Sequence, residues 1–270
     1  MKKFELVEEM SKEFFGMKLF RVRALISFGD VDAGEVGGWV EKEENISHDG
    51  NAWVSGNAQV YGDAQVYGDA QVCGNARACG DAWVSGNARV YGDAWVSGNA
   101  RVYGNAWVSG NARVYGNARV YGNAQVCGNA QVCGDAQVSG NAQVCGDAQV
   151  SGNARVYGDA QVYGNARVYG NAQVCGDARV CGDAWVSKNN HWIGVGPIGS
   201  EDGFITAFRQ SDNSIMVRRG CFSGTIDEFE AATKERHGDN EHGEIYLALI
   251  PIIKMRLADV AIDDGKEVSE

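Results

Sequence analysis

The chain of 270 residues holds 37 glycines but only two prolines; collagen would need abundant proline with glycine at every third position, and a flexible linker would lack the valine that recurs with the glycine here. The net charge of −11 sits at the two ends: residues 1–49 carry 7 basic and 11 acidic groups, residues 50–187 carry 8 arginines and 9 aspartates, and residues 188–270 carry 9 basic and 15 acidic groups. This distribution excludes a long basic track for nucleic acid and a uniformly acidic rod imitating DNA, so no nucleic-acid partner is expected.

The first segment, "MKKFELVEEMSKEFFG", alternates charge and hydrophobe without an apolar core of signal-peptide length, and nowhere do 18 apolar residues run together. A cytoplasmic protein with no membrane partner is expected. Residues 4–15 read as a short amphipathic helix, and "KLFRVRALISF" reads as a strand with Phe20, Val22, Ala24, Ile26 and Phe28 on one face. The strand leads into a glycine-rich stretch around Trp39, and residues 1–49 together are expected to cap the long segment that begins at Gly50.

From Gly50 to Ser187 the chain consists of 23 units of Gly-[Asn/Asp]-Ala-[Trp/Arg/Gln]-Val-[Tyr/Ser/Cys], without insertion or deletion and with Ala78 replacing one valine. A helix is excluded, because each glycine would cost about 1 kcal/mol against alanine. In each unit the triplet around valine reads outward, inward, outward, Gly-Asx is a turn pair that tolerates positive φ, and the alanine is small enough to point inward at a corner. A strand of three residues and a turn, repeated at constant length, coils into a mainly β fold, a single-stranded parallel β-helix or β-solenoid.

These units resemble the hexapeptide repeat of left-handed parallel β-helices, in which an aliphatic and a small residue point into a triangular prism. The resemblance implies three hexapeptides per coil, hence nearly eight coils and a prism roughly 37 Å long at about 4.8 Å per coil. "DVDAGEVGGWVEKEENIS", "VGPIGS" and "GCFSGTIDEFEAATKERHGDN" resemble in particular a group of hexapeptide-repeat proteins of bacteria and prophages, some labelled polymer-forming.

Residues 188–270 break the period. "FITAFRQ" and "IMVRR" read as a hairpin joined through Ser211 to Ser214. Thr225 with Glu228 reads as the capping box of a helix ending near His237-Gly238. A second apolar helix from about Glu244 contains Pro251, which should kink it or end its first half. The expected product is a small α+β C-terminal domain.

Seven of the eight cysteines occupy the unit position that elsewhere holds Tyr or Ser, which reads as an interchangeable surface rather than a disulfide scaffold. Hexapeptide proteins include acyltransferases that use a histidine and a loop thrown out from the coil; the repeats here contain neither, and His48 and His191 lie just beyond their ends. Cys221 with His191, His237 or His242 would need tertiary proximity to act as nucleophile and base. "GVGPIGS" (Gly194, Gly196, Gly199) lacks the lysine and helix of a phosphate loop and reads as a turn. No metal-ligand spacing appears, the repeats contain no threonine for an ice-binding ladder, and no enzyme activity, cofactor or metal is expected.

Outward positions carry the functional signal. Trp53, Trp83, Trp95, Trp107 and Trp185 are each followed two residues later by Ser, whereas Tyr always accompanies Arg or Gln. With three units per coil, Arg101, Arg119 and Arg155 fall in one column and Tyr103, Tyr121 and Tyr157 in the next, interrupted by Gln137 and Ser139. Arginine and aromatics are the residues enriched at interface hot spots. The expectation is a structural or protein-interaction module of phage or prophage type, binding a protein partner or itself, with an inhibitor of a host factor as the alternative and a hexapeptide acyltransferase as the third.

Overall fold

The computed structural model describes residues 1–199 and 201–258. Its body is a parallel β-solenoid of 23 two-residue strands, from Trp53–Val54 to Trp185–Val186. Each strand pairs with the strand 18 residues further on, as in Arg101↔Arg119 and Val102↔Val120, so three units make one coil. The strands form three sheets around one core. The valines and alanines of the units are fully buried there, as the period of two demands.

The corner glycines of the units lie at φ between 62° and 74°. Position matters as much as φ: a Cβ on Gly128 would come within 2.9 Å of the amide nitrogen of Gly146, one coil on. Most of the corner glycines stack in this way, at a spacing tighter than ordinary Cβ contact.

Within each coil the Asx, outward and following residues donate backbone N–H to the Gly, Ala and Val carbonyls of the next coil. Asn105, Trp107 and Ser109, for example, donate to Gly122, Ala124 and Val126 at 2.8–2.9 Å. A solenoid built this way has unlike ends. The N-terminal end presents mainly carbonyl oxygens and the C-terminal end mainly N–H groups.

The N-terminal segment supplies donors to the first end. Strands β1 (Phe4–Phe14), β2 (Met17–Ala24) and β3 (Val36–Val40) form an antiparallel run, and β3 then pairs in parallel with Gln59–Val60, extending one solenoid face to eleven strands. Lys3 Nζ donates to Gly50 and Ala52 carbonyls, each at 3.1 Å; Arg21 donates to Gly56; Asn45 Nδ2 donates to Gly62 and Ala64.

The helix expected over residues 4–15 is instead the strand β1. Its register against β2 jumps between Val7 and Ser11, and this bulge breaks the period of two into spacings that imitate a helix. The second strand stops at Ala24, which leaves Ile26 exposed rather than on a buried face.

At the far end the roles reverse and the cap supplies acceptors. Asn189 Oδ1 accepts from the Gln173 N–H at 2.8 Å, and Thr206 Oγ1 accepts from Arg179 N–H at 2.9 Å. The one outward carbonyl at Gln173 receives the indole N–H of Trp192 at 2.7 Å. Phe208, fully buried, closes the valine and alanine core.

The C-terminal domain is an antiparallel sheet of Trp192–Ile198, Gly203–Arg209, Ile215–Arg219 and Phe222–Thr225, followed by helices α1 (Ile226–His237) and α2 (Glu241–Leu257). Gly203–Arg209 is buried on both faces: Thr206 and Phe208 meet the last coil, while Ile205 and Ala207 join Val217, Phe229 and Ile253 in a second core. The hairpin of Gly203–Arg209 with Ile215–Arg219 is present, as is the reciprocal Thr225–Glu228 capping box.

Two expectations for this region are corrected. α2 begins at Glu241, and of the two outcomes expected at Pro251 the ending is ruled out: the helix runs through it to Leu257, with Pro251 exposed and Ile250, Ile253 and Leu257 holding both halves against the core. Gly194 and Gly196 lie in the strand Trp192–Ile198, where the Phe204 ring passes so closely that a Cβ at either would meet it within 2.6 Å, and of the three glycines Gly199, at φ 74°, is the one in the expected turn.

The cysteine reading is also corrected at one place. Cys127 and Cys145, one coil apart with Cα atoms 4.7 Å from each other, form a disulfide. An 18-residue separation brings like positions into direct register, so stacked cysteines meet even in a surface of interchangeable residues.

Candidate binding face

Each coil presents two outward columns per face, one on either side of the valine. On the seven-stranded face the first column runs Gln65, Trp83, Arg101, Arg119, Gln137, Arg155, Gln173. The second holds Tyr103 and Tyr121, whose rings stack at 5.0 Å and 2°, then Ser139 and the exposed Tyr157. Burial raises the Tyr103 phenol above its ordinary value, Tyr121 adds to the effect, and Arg119 and Arg101 oppose it.

Arg101, Arg119 and Arg155 are exposed, and among the described residues none of them is in an ion pair. The corner residues beside Arg101 and Arg119 are asparagines: Asn99 and Asn117 before them, Asn105 and Asn123 after them. The middle of this face is therefore cationic and aromatic with no carboxylate in its columns or on its corners. The two columns stand side by side in the structure.

The tryptophans are scattered. Trp83 lies on the seven-stranded face, Trp95 and Trp185 on the eleven-stranded face, and Trp53 and Trp107 on the eight-stranded face. Trp83, Trp95 and Trp107, 36–40 % exposed, thus spiral around the rod and cannot all meet one flat partner. Trp185 is half-buried. Trp53 is corrected from a contact to a core residue, 4 % exposed, because Phe28 covers it edge-on at 5.5 Å.

A relation missed in the sequence accounts for three of the five Trp-to-Ser pairs. Trp83, Trp107 and Trp185 pack edge-on against Tyr67, Tyr91 and Tyr169, each sixteen residues earlier, at 5.9–6.2 Å. The serines two residues after those tryptophans stand one coil above the same tyrosines and leave room for the rings. Where tyrosine is followed one coil on by tyrosine, as at Tyr103 and Tyr121, the rings stack instead. Arginine one coil away completes the arrangement: Arg101 lies 4.7 Å from the Trp83 ring and Arg113 5.9 Å from that of Trp95.

The corners show a second relation. Asn side chains donate to the Asx oxygen one coil on, as in Asn87 to Asn105 and Asn105 to Asn123 at 3.0 Å. Asp69, Asp93, Asp135, Asp147, Asp159 and Asp183 each accept such a bond. An ionised Asp only accepts, so it ends a ladder that Asn can continue.

The histidines at the ends serve the caps. His48 Nδ1 accepts from Lys3 N–H at 3.2 Å while Nε2 meets Glu43 at 2.7 Å, and its ring stacks on Phe4. His191 is buried beside Ser187, and burial lowers its pKa. Cys221 and His237 line one cavity of the C-terminal domain, but among the described residues no hydrogen bond joins that thiol to a histidine. Among these residues there is also no cluster of three or more potential metal ligands, and no helix long and apolar enough to cross a membrane.

None of the curated proteins compared with the chain matches it. A family model described as the YdcK beta solenoid repeat matches residues 58–74, 82–98, 94–110, 112–128, 130–146, 148–162, 160–176 and 172–188. With the coils seen in the structure, that likeness identifies residues 58–188 as β-solenoid repeats similar to those of the YdcK type.

Proposed function

We propose that the protein is a non-enzymatic interaction module, a rigid capped rod whose seven-stranded face docks an acidic surface of a protein partner. The observation that carries this reading is the run of exposed arginines Arg101, Arg119 and Arg155, in no ion pair among the described residues, beside the half-buried Tyr103 and Tyr121 and the exposed Tyr157. Guanidinium groups that find no counter-charge among the described residues are available to one on another molecule, and neighbouring aromatics supply desolvated contact area. The left-handed coil and the phage or prophage origin implied by the sequence resemblance, and the cytoplasmic location expected from the first segment, belong to the same proposal. An inhibitor of a host factor is the form it takes if the partner is an enzyme.

The test is quantitative capture by the full-length protein, compared with an Arg101→Glu/Arg119→Glu variant. One stoichiometric partner, bound at least about tenfold more weakly by the variant, is the expected result. Capture unchanged by the charge reversal would remove this face from the function.

A further inference from the structure

The C-terminal domain forms a cavity of about 200 Å³, open to solvent on one side, between α1, α2 and the sheet. Phe222, Phe229 and Tyr246 wall it, with Phe229 meeting the other two rings edge-on at 5.3 and 5.9 Å, and Ala232 contributes the smallest side chain of the lining. Tyr246 is held in place: a Cβ at Gly199 would collide with its hydroxyl. The site thus has an aromatic interior fixed by packing.

Its charge is one-sided. Arg219 and Arg236 both line the cavity, and Glu201 is the single carboxylate there. Glu201 bonds to Arg219 Nη1 at 2.9 Å from a largely exposed position, whereas the Arg219 side chain is nearly buried. Arg219 is thus anchored by Glu201 and by the Ile198 carbonyl with its guanidinium in the cavity wall. Arg236, exposed on α1, is in no ion pair among the described residues.

We propose that this cavity binds a small aromatic carboxylate, its ring among Phe222, Phe229 and Tyr246 and its carboxylate toward Arg219 and Arg236. Size sets the class. An apolar cavity of about 150 Å³ accepts benzene, and drug-sized sites start at about 300 Å³, so the space suits one ring with a short acid side chain. The two guanidinium groups disfavour a cation, which an aromatic cage would otherwise attract.

The experiment is a titration of the full-length protein, followed by amide NMR shifts, with phenylacetate, with 2-phenylethanol as the uncharged ring and with acetate as the ringless charge. Phenylacetate is expected to shift α1 and α2 resonances saturably, at least about tenfold more tightly than either control. Arg236→Ala, at an exposed position, should weaken it about tenfold. Ala232→Leu should abolish it by filling the cavity, with the solenoid resonances unmoved as the check on folding. Absence of saturable shifts with phenylacetate, equal binding of 2-phenylethanol, or binding indifferent to Arg236→Ala would overturn the proposal. The acidic-partner reading of the solenoid face stands or falls separately.

Discussion

At the scale of single residues, two constraints act on the corner glycine and can be separated. Gly128 at φ 68° has the next coil's backbone at 2.9 Å from where a Cβ would lie, whereas Gly176 at φ 65° has nothing within 4 Å. Gly176→Ala should therefore cost about 1 kcal/mol, the penalty of a left-handed alanine alone, and Gly128→Ala at least about twice that. Urea denaturation of the two variants measures the difference; equal losses would mean that the coil spacing yields to a methyl group. The inward valine and alanine and the turning glycine were all legible in the repeat, because each depends only on alternation and φ within one unit. The edge-on Tyr–Trp contacts were not, because they join residues sixteen apart and depend on the coil register.

At the scale of elements, the caps are matched in hydrogen-bonding sense to the ends they cover. Lys3 illustrates the cost. It is 2 % exposed, and burial pulls its ammonium down to about 8 although Asp49 and Asp69 favour the charge. Folded and unfolded chains both carry the proton below pH 8; between pH 8 and 10.5 only the unfolded chain keeps it. This group's contribution to stability is therefore complete above pH 10.5 and is lost as pH falls through 8. The stability of the wild type relative to Lys3→Met should rise across that window by on the order of a few kcal/mol. Using the difference removes buried tyrosines and thiols such as Tyr61 and Cys73, whose raised pKa values act in the opposite direction. A flat difference would show that Lys3 is solvated in the folded chain.

At the scale of the whole molecule, unlike ends make the uncapped solenoid self-complementary. Its donor-rich end fits its acceptor-rich end as one coil fits the next, a head-to-tail contact that never closes. The fragment 50–187 should accordingly grow with concentration into filaments visible by electron microscopy, while the intact chain keeps one mass across the same series by light scattering. Removing either cap alone should leave the chain monomeric, because every copy then exposes only one of the two unlike ends and the complementary end stays covered. Open-ended growth of the intact chain would show that Asn189, Thr206 and Lys3 do not seal the ends and would make self-assembly the function to pursue.

The sequence by itself determined the solenoid, its inward and outward positions and, once three units are placed in each coil, the Arg101–Arg119–Arg155 and Tyr103–Tyr121–Tyr157 columns, since a strict six-residue period leaves no freedom in register. Only the tertiary structure decided that residues 4–14 pair as a strand, that Phe28 buries Trp53, that Trp83, Trp95 and Trp107 face three ways, and that Cys127 meets Cys145. Those outcomes depend on which backbone groups the ends leave unpaired and on side chains a full coil apart. Neither is a property of any one unit.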